Sequence, residues 1–245
     1  MAEKVKEMSF MDHLEELRKR VIRCLLVVAL FSTVCYIFSR QIIDLIVKPL
    51  HTDVYFMSPT EGFMVGIKVS IIAGVILSIP IIIYQLWRFI APGLFRKEVK
   101  IAFPIIVIST LSFFAGGSFC FFLVIPRAAK FLLGFGTDTL HPLIRITDYI
   151  SFVGYMTLAF GASFELPIVA YFLAKMGVLG PKVMTKGRRY AVVGILITAG
   201  IITPTPDAFT QLTLAIPLYL LYEISIIIVK IVHRGKLKKE NTREE

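Results

Sequence analysis

Between Asp148 and Lys175 the chain carries one charged side chain, Glu165. A run that long and that apolar has few ways to fold. In hydrocarbon every backbone N–H and C=O must be satisfied within the segment, so the run reads as a membrane-crossing helix. At about 1.5 Å per residue, Glu165 lies roughly 15 Å from Lys175, near mid-depth of a core about 30 Å thick. A carboxylate there costs about 2.5–3.5 kcal/mol on insertion scales and marks a functional site by default. Gly154, Thr157, Gly161 and Glu165 share one small, polar helix face. Two readings follow. Either that face receives a partner or guest helix, or Glu165 is satisfied by a polar group of the same chain. Pro167 has no N–H for the carbonyl of Ser163, which predicts a kink beside the Glu and a freed acceptor.

The rest of the chain is built the same way. It is 56% hydrophobic, with a mean hydropathy of +0.77, which places it among all-α integral membrane proteins. The net charge of +10 does not indicate nucleic acid, because the basic residues flank the apolar runs instead of forming one patch. Cys24, Cys35 and Cys120 fall inside apolar segments at unrelated spacings, so neither a metal site nor a disulfide is indicated. The acidic N-terminal stretch, with Asp12, Glu15 and Glu16, does not read as a cleavable signal.

In order, residues 9–20 predict a short amphipathic helix along the membrane surface. Ser9 and Asp12 form its capping box, and Phe10, Leu14, Leu17 and Val21 its apolar stripe. Spans are expected at about 21–38, 69–90, 101–125, 149–176, 190–202 and 208–232, making residues 1–232 one membrane domain. Ser58-Pro-Thr-Glu61 is a second capping box that starts a helix running into span two. Pro80, Pro167 and Pro217 are expected kinks within spans two, four and six. Residues 126–135 continue helically beyond span three. The tail 233–245 is highly charged and expected to be disordered. The last two spans are expected to be short. Span five is the clearest case, at about 13 residues or roughly 20 Å of apolar helix. The turn Thr203–Asp207, with Thr205 and Asp207, and Gln211 beyond it would then sit below the headgroup level. Arg18, Lys19, Arg20, Arg96, Lys97, Arg188, Arg189, Lys238 and Lys239 all fall on one side, so both termini are expected in the cytoplasm.

The sequence shows no metalloprotease, serine-hydrolase or phosphate-binding-loop signature, so it does not read as an enzyme, and no cofactor is expected. Two acidic sites remain on the cytoplasmic side, Glu15 with Glu16, and Glu98. Glu15–Lys19 and Glu16–Arg20 are ordinary i,i+4 pairs, and Glu98 suits a helix N-terminus, so residues alone favour a structural role.

His13-Leu-Glu-Glu-Leu-Arg-Lys-Arg20, Phe89-Ile-Ala-Pro-Gly-Leu94 with Glu98, Ser163-Phe-Glu-Leu-Pro167, and Thr203-Pro-Thr-Pro-Asp-Ala-Phe-Thr-Gln211 through Pro217 resemble TatC. That family supplies the multi-spanning subunit of the twin-arginine protein translocase, and the resemblance covers all but the charged tail. It implies recognition of signal peptides in which two arginines precede an apolar stretch. Glu16 and Glu98 would form the receiving site, with Glu15 as an alternative to Glu16. It implies that Glu165 and Gln211, with Thr205 and Asp207, face single-span TatA/TatB-type subunits in the inner membrane. It also implies export of folded proteins driven by the proton gradient, without ATP. The lipid bilayer and further copies of the chain complete the expected partners. A guanidinium is always charged and meets carboxylates in a fork that Lys cannot copy, which suits this role. Two readings compete: a proton-coupled secondary transporter using Glu165 and Glu223 as relay groups, and a membrane scaffold. No internal repeat supports the transporter.

Overall fold

The computed structural model describes residues 10–50, 52–90, 96–134, 143–202 and 208–244. These residues are almost entirely helical. The helices are α1 (Phe10–Ile37), α2 (Ser39–Val47), α3 (Pro59–Ile90), α4 (Arg96–Phe119), α5 (Ile125–Leu133), α6 (Ile146–Ser163), α7 (Leu166–Met176), α8 (Pro181–Ile202) and α9 (Ala208–Glu244). Two short strands, β1 (Val54–Tyr55) and β2 (Ile144–Arg145), pair in parallel, Val54 with Ile144 and Tyr55 with Arg145. Among the described residues, five helical stretches are long and apolar enough to cross a membrane: Met11–Ile37, Pro59–Ile90, Phe103–Phe131, Ile146–Met176 and Gln211–Gly235.

The chain divides into two compact units, residues 1–39 with 66–110, and residues 40–65 with 111–245. In the first, α3 presents Gly66, Ser70, Gly74 and Ser78 at every fourth position. Gly74 lies so close to α1 that a Cβ built on it would stand 2.6 Å from the backbone nitrogen of Ser32. Ser70 and Ser78 donate to the carbonyls of Gly66 and Gly74, at 2.6 Å each, which leaves the buried stripe smooth. Lipid offers no hydrophobic drive between helices, so small residues that let backbones approach make the seam.

The second unit has its core around the junction of α4 and α5. There Cys120–Val124 forms a π-turn, with the N–H of Ile125 donating to Cys120. Pro126 follows at once and has no N–H to give, so the wider turn absorbs the register change. Cys120, Ile125, Met156 and Phe160 are fully buried there, packed with Leu214 and Ala199. A smaller cluster of Ala170, Ala174, Met184, Ile226 and Val229 holds α7, α8 and α9 together.

Several boundaries differ from expectation. The surface helix over 9–20 and span one are a single unbroken α1, because no Gly or Pro interrupts Arg18–Ile22. The capping Ser9 lies outside the described residues. The tail is helical to Glu244, since its Lys, Arg and Glu are strong helix formers. Span five begins as helix at Pro181, the N1 position after Gly180, and its first turns carry Lys182, Lys186, Arg188 and Arg189. It is therefore long as a helix and short only in its apolar part. Span six is not short, because Gln211–Gly235 is 25 residues of apolar helix. Assigned helix passes without interruption through Pro80 and Pro217. At Pro167 it breaks, between α6 and α7.

Candidate functional site

The site carried by α1 starts from helical spacing. Glu15 and Lys19 point one way and pair at 2.8 Å, both side chains well exposed. Glu16 and Arg20, turned about 100° from them, face inward. Their side chains are 22% and 9% exposed. Arg20 donates from Nε to Oε1 of Glu16 at 3.0 Å, and Nη2 donates to the same oxygen. Its Nη1 donates to Oε1 of Gln85 on α3 at 3.1 Å. The second carboxylate oxygen, Oε2 of Glu16, is buried and has no hydrogen-bond partner among the described residues. Nearby, His13 stacks on Phe89 with ring centroids 4.3 Å apart, which joins α1 and α3 again. Glu98 falls in the first turn of α4, and its side chain lies outside the described residues. Glu15 and Glu16, adjacent in sequence, are thus different in kind: one is a solvated surface pair, the other a half-buried acceptor with one oxygen committed.

At Glu165 the helix breaks because Pro167 cannot donate. The N–H of Val169 makes the ordinary helical bond to the carbonyl of Glu165 at 2.9 Å, and that of Ile168 turns to the same carbonyl at 3.0 Å. Pro167 has no N–H to give the Ser163 carbonyl, as the sequence predicts, and the turn of Ile168 toward Glu165 also leaves over the carbonyl of Phe164. It accepts a 2.8 Å hydrogen bond from Oγ of Ser112 on α4. The small face does not lie open. A Cβ on Gly161 would strike the Phe113 ring at 2.6–2.9 Å, and one on Gly117 would meet the Thr157 methyl at 3.3 Å. Gly154 and Gly161 are buried. The face expected to receive a partner helix is therefore covered, at Thr157 and Gly161, by α4 of the same chain. The Glu165 side chain remains partly exposed, beside the exposed Leu166 and Val169.

The α8–α9 hairpin is tied at both ends. Gln211 donates from Nε2 to the carbonyl of Leu196 at 2.9 Å, over Gly200, where a Cβ would stand 3.3 Å from that nitrogen. Toward the other end, Glu223 accepts from Arg188 at 2.8 Å and from the Tyr219 hydroxyl at 2.9 Å. Tyr222 donates to the carbonyl of Met184 at 2.8 Å. Glu223 is thus an ion-pair member level with Arg188, a poor proton relay. Thr205 and Asp207 lie outside the described residues.

One polar centre was not singled out from sequence. Ser58 and Glu61 open α3 as expected, with the Thr60 N–H directed at Ser58 Oγ (3.4 Å) and the Met57 N–H donating to Glu61 Oε2 (2.8 Å). Glu61 Oε1 also accepts from Arg145 at 2.8 Å and from Thr147 at 2.5 Å, and so ties α3 to β2 and α6. That hydrogen bond, with the carboxylate's charge second, holds the Arg145 guanidinium above its ordinary pKa. The Tyr149 hydroxyl adds a bond to the carbonyl of Ile46 at 3.2 Å. A capping Glu gives no hint in sequence of a second partner more than eighty positions away.

Residues 12–217 match the family model for TatC, Sec-independent protein translocase protein. A TatC protein of Desulforapulum autotrophicum is 38% identical, over all of this chain and 92% of its own length. That of Carboxydothermus hydrogenoformans is 40% identical over 93% of this chain and 95% of its own. That of Aquifex aeolicus is 39% identical over 94% and 98%. A crystal structure of the twin-arginine translocase receptor TatC superposes with a TM-score of 0.83 at 38% identity, covering 90% of this chain and 99% of the other.

Proposed function

The chain belongs to the TatC family of Sec-independent protein translocase proteins, and from that premise we propose that it is the subunit that receives twin-arginine signal peptides. In this reading it is a multi-pass protein of the bacterial cytoplasmic membrane, one domain of six spans with both termini cytoplasmic. Glu16 and Glu98 receive the two guanidinium groups of the peptide. Glu165 and Gln211, with Thr205 and Asp207, face single-span TatA/TatB-type subunits, and the proton gradient drives export of the folded cargo.

The observation that carries this reading is the unequal pair of oxygens on Glu16. Oε1 is held by Arg20, and Oε2 is buried with no partner among the described residues. A buried carboxylate oxygen without a donor is costly, and a guest guanidinium supplies the charge-assisted bond it lacks. Glu15 is exposed and already paired with Lys19 at the surface. Gln211 spends one amide N–H on Leu196, so its second N–H and its carbonyl oxygen are the groups it would offer a partner helix.

The test is peptide binding to the purified chain. Glu16→Gln and Glu98→Gln should each weaken a twin-arginine peptide by about tenfold, the scale of one charge-assisted hydrogen bond. Glu16→Lys and Glu98→Lys should weaken it further through like-charge repulsion. Unchanged affinity in the double Gln variant removes the site.

A further inference from the structure

Arg20 is 8% exposed, unusual for an arginine, and among the described residues its side chain donates to Glu16 and to Gln85. Two of its nitrogens converge on Oε1 of Glu16, and a third reaches across to Gln85 on α3. Three donors on two acceptors fix the plane of the guanidinium, and through it the plane of the Glu16 carboxylate. Oε2 is left aimed in one direction, buried and without a partner among the described residues.

We propose that Arg20 is a positioning residue that makes the Glu16 acceptor selective for a guanidinium over an ammonium. The proposal rests on the reading that Glu16 receives a signal-peptide arginine. Two physical effects combine. The Glu16–Arg20 pair is close to neutral as a unit, so a guest cation gains little from Coulomb attraction and must bind through directed hydrogen bonds. An ammonium is a compact, strongly hydrated point charge whose gain is mainly Coulombic. A guanidinium is weakly hydrated and brings planar, directed donors. The fixed Oε2 favours the second kind of guest, and two guanidinium groups then share one carboxylate, one on each oxygen. Without Arg20 the carboxylate turns freely and carries its full charge, and lysine gains most from that change.

The experiment uses the full chain in detergent and two labelled peptides. They are identical except that Arg-Arg or Lys-Lys precedes the apolar stretch. For Arg20→Met the Lys-Lys peptide should bind more tightly, and the ratio of the two Kd values should fall about tenfold. Gln85→Leu leaves the fork on Oε1 and frees only Nη1, so the ratio should fall in the same direction by less. If Arg20→Met does not fold, Gln85→Leu decides alone. A ratio unchanged in the variants that fold overturns the proposal, as does a loss of both peptides by the same factor, which is what a merely structural Arg20 would give. Glu16→Gln, measured alongside, separates the two levels. Undiminished Arg-Arg binding there sinks the site itself, whereas lost binding there with an unchanged ratio in the Arg20 and Gln85 variants sinks only the positioning role.

Discussion

Replacing Gly74 with Ala adds one methyl group at the tightest helix contact of the first unit. The new Cβ would stand 2.6 Å from the nitrogen and 2.7 Å from the Cα of Ser32. Carbon atoms in contact prefer about 3.5–4.0 Å, so α1 and α3 must part by about 1 Å. Overpacking of this kind costs about 1–3 kcal/mol. The upper end is expected here, because the obstructing atoms are backbone and cannot rotate away. The assay is built in. Trp87 is the only tryptophan of the chain and is buried on α3, so its fluorescence reports unfolding of this unit in detergent. Gly74→Ala should lower the denaturation midpoint, by an amount that corresponds to this loss of unfolding free energy. Adding Ser32→Gly should not restore it, since removing the hydroxymethyl group leaves the nitrogen and Cα in place. A wild-type midpoint for Gly74→Ala, or full rescue by Ser32→Gly, refutes the backbone-contact reasoning.

Gly161→Ala should also destabilise by about 1–3 kcal/mol. Its clash is with a side-chain ring, so Phe113→Leu should recover most of the loss in a double-mutant cycle; additive losses would contradict the packing described. Gln211→Leu should loosen the α8–α9 hairpin by roughly 0.6–2 kcal/mol, the range for polar ties in membranes. Thermal denaturation of the isolated chain reads this, and an unchanged midpoint would mean that the bond to Leu196 contributes nothing. Glu61→Gln, which keeps an acceptor for Arg145 and Thr147, should lower the melting temperature less than Glu61→Leu, which keeps none; equal melting temperatures would contradict the tether.

The helices were legible because hydrocarbon leaves the backbone few options, and their punctuation was legible where chemistry forces it. Ser58-Pro59 starts α3, Pro167 breaks the chain after α6, and the helix beyond span three continues through α5. Apolarity misled where helix and membrane do not coincide. The first turns of α8 and the end of α9 are charged, yet Lys, Arg and Glu are good helix formers. Periodicity correctly put Gly154, Thr157 and Gly161 on one face but could not say what covers it. The covering residues, Phe113 and Gly117, sit on another helix whose register no local rule supplies. The Gly66-Ser70-Gly74-Ser78 stripe is legible as small residues at every fourth position, but spacing alone does not say which helix packs on it. Glu16 was singled out as a candidate, but its difference from Glu15 depends on Gln85, sixty-five positions from Arg20.

That dependence bears on how such a site can be built at all. Lipid contributes no hydrophobic force between helices, and single polar ties there are modest. A carboxylate on α1 can be aimed only if α1 is fixed to α3 by something that does not itself bind the guest. The close approach at Gly74 fixes how near the two helices lie, and Arg20 with Gln85 fixes the carboxylate. These two layers should fail differently. Opening the seam moves the acceptor as a body and weakens arginine and lysine peptides alike. Removing Arg20 leaves the frame standing and changes which cation is preferred. Gly74→Ala should therefore lower stability and leave the ratio of the two Kd values unchanged, whereas Arg20→Met, whatever it costs in stability, should change that ratio.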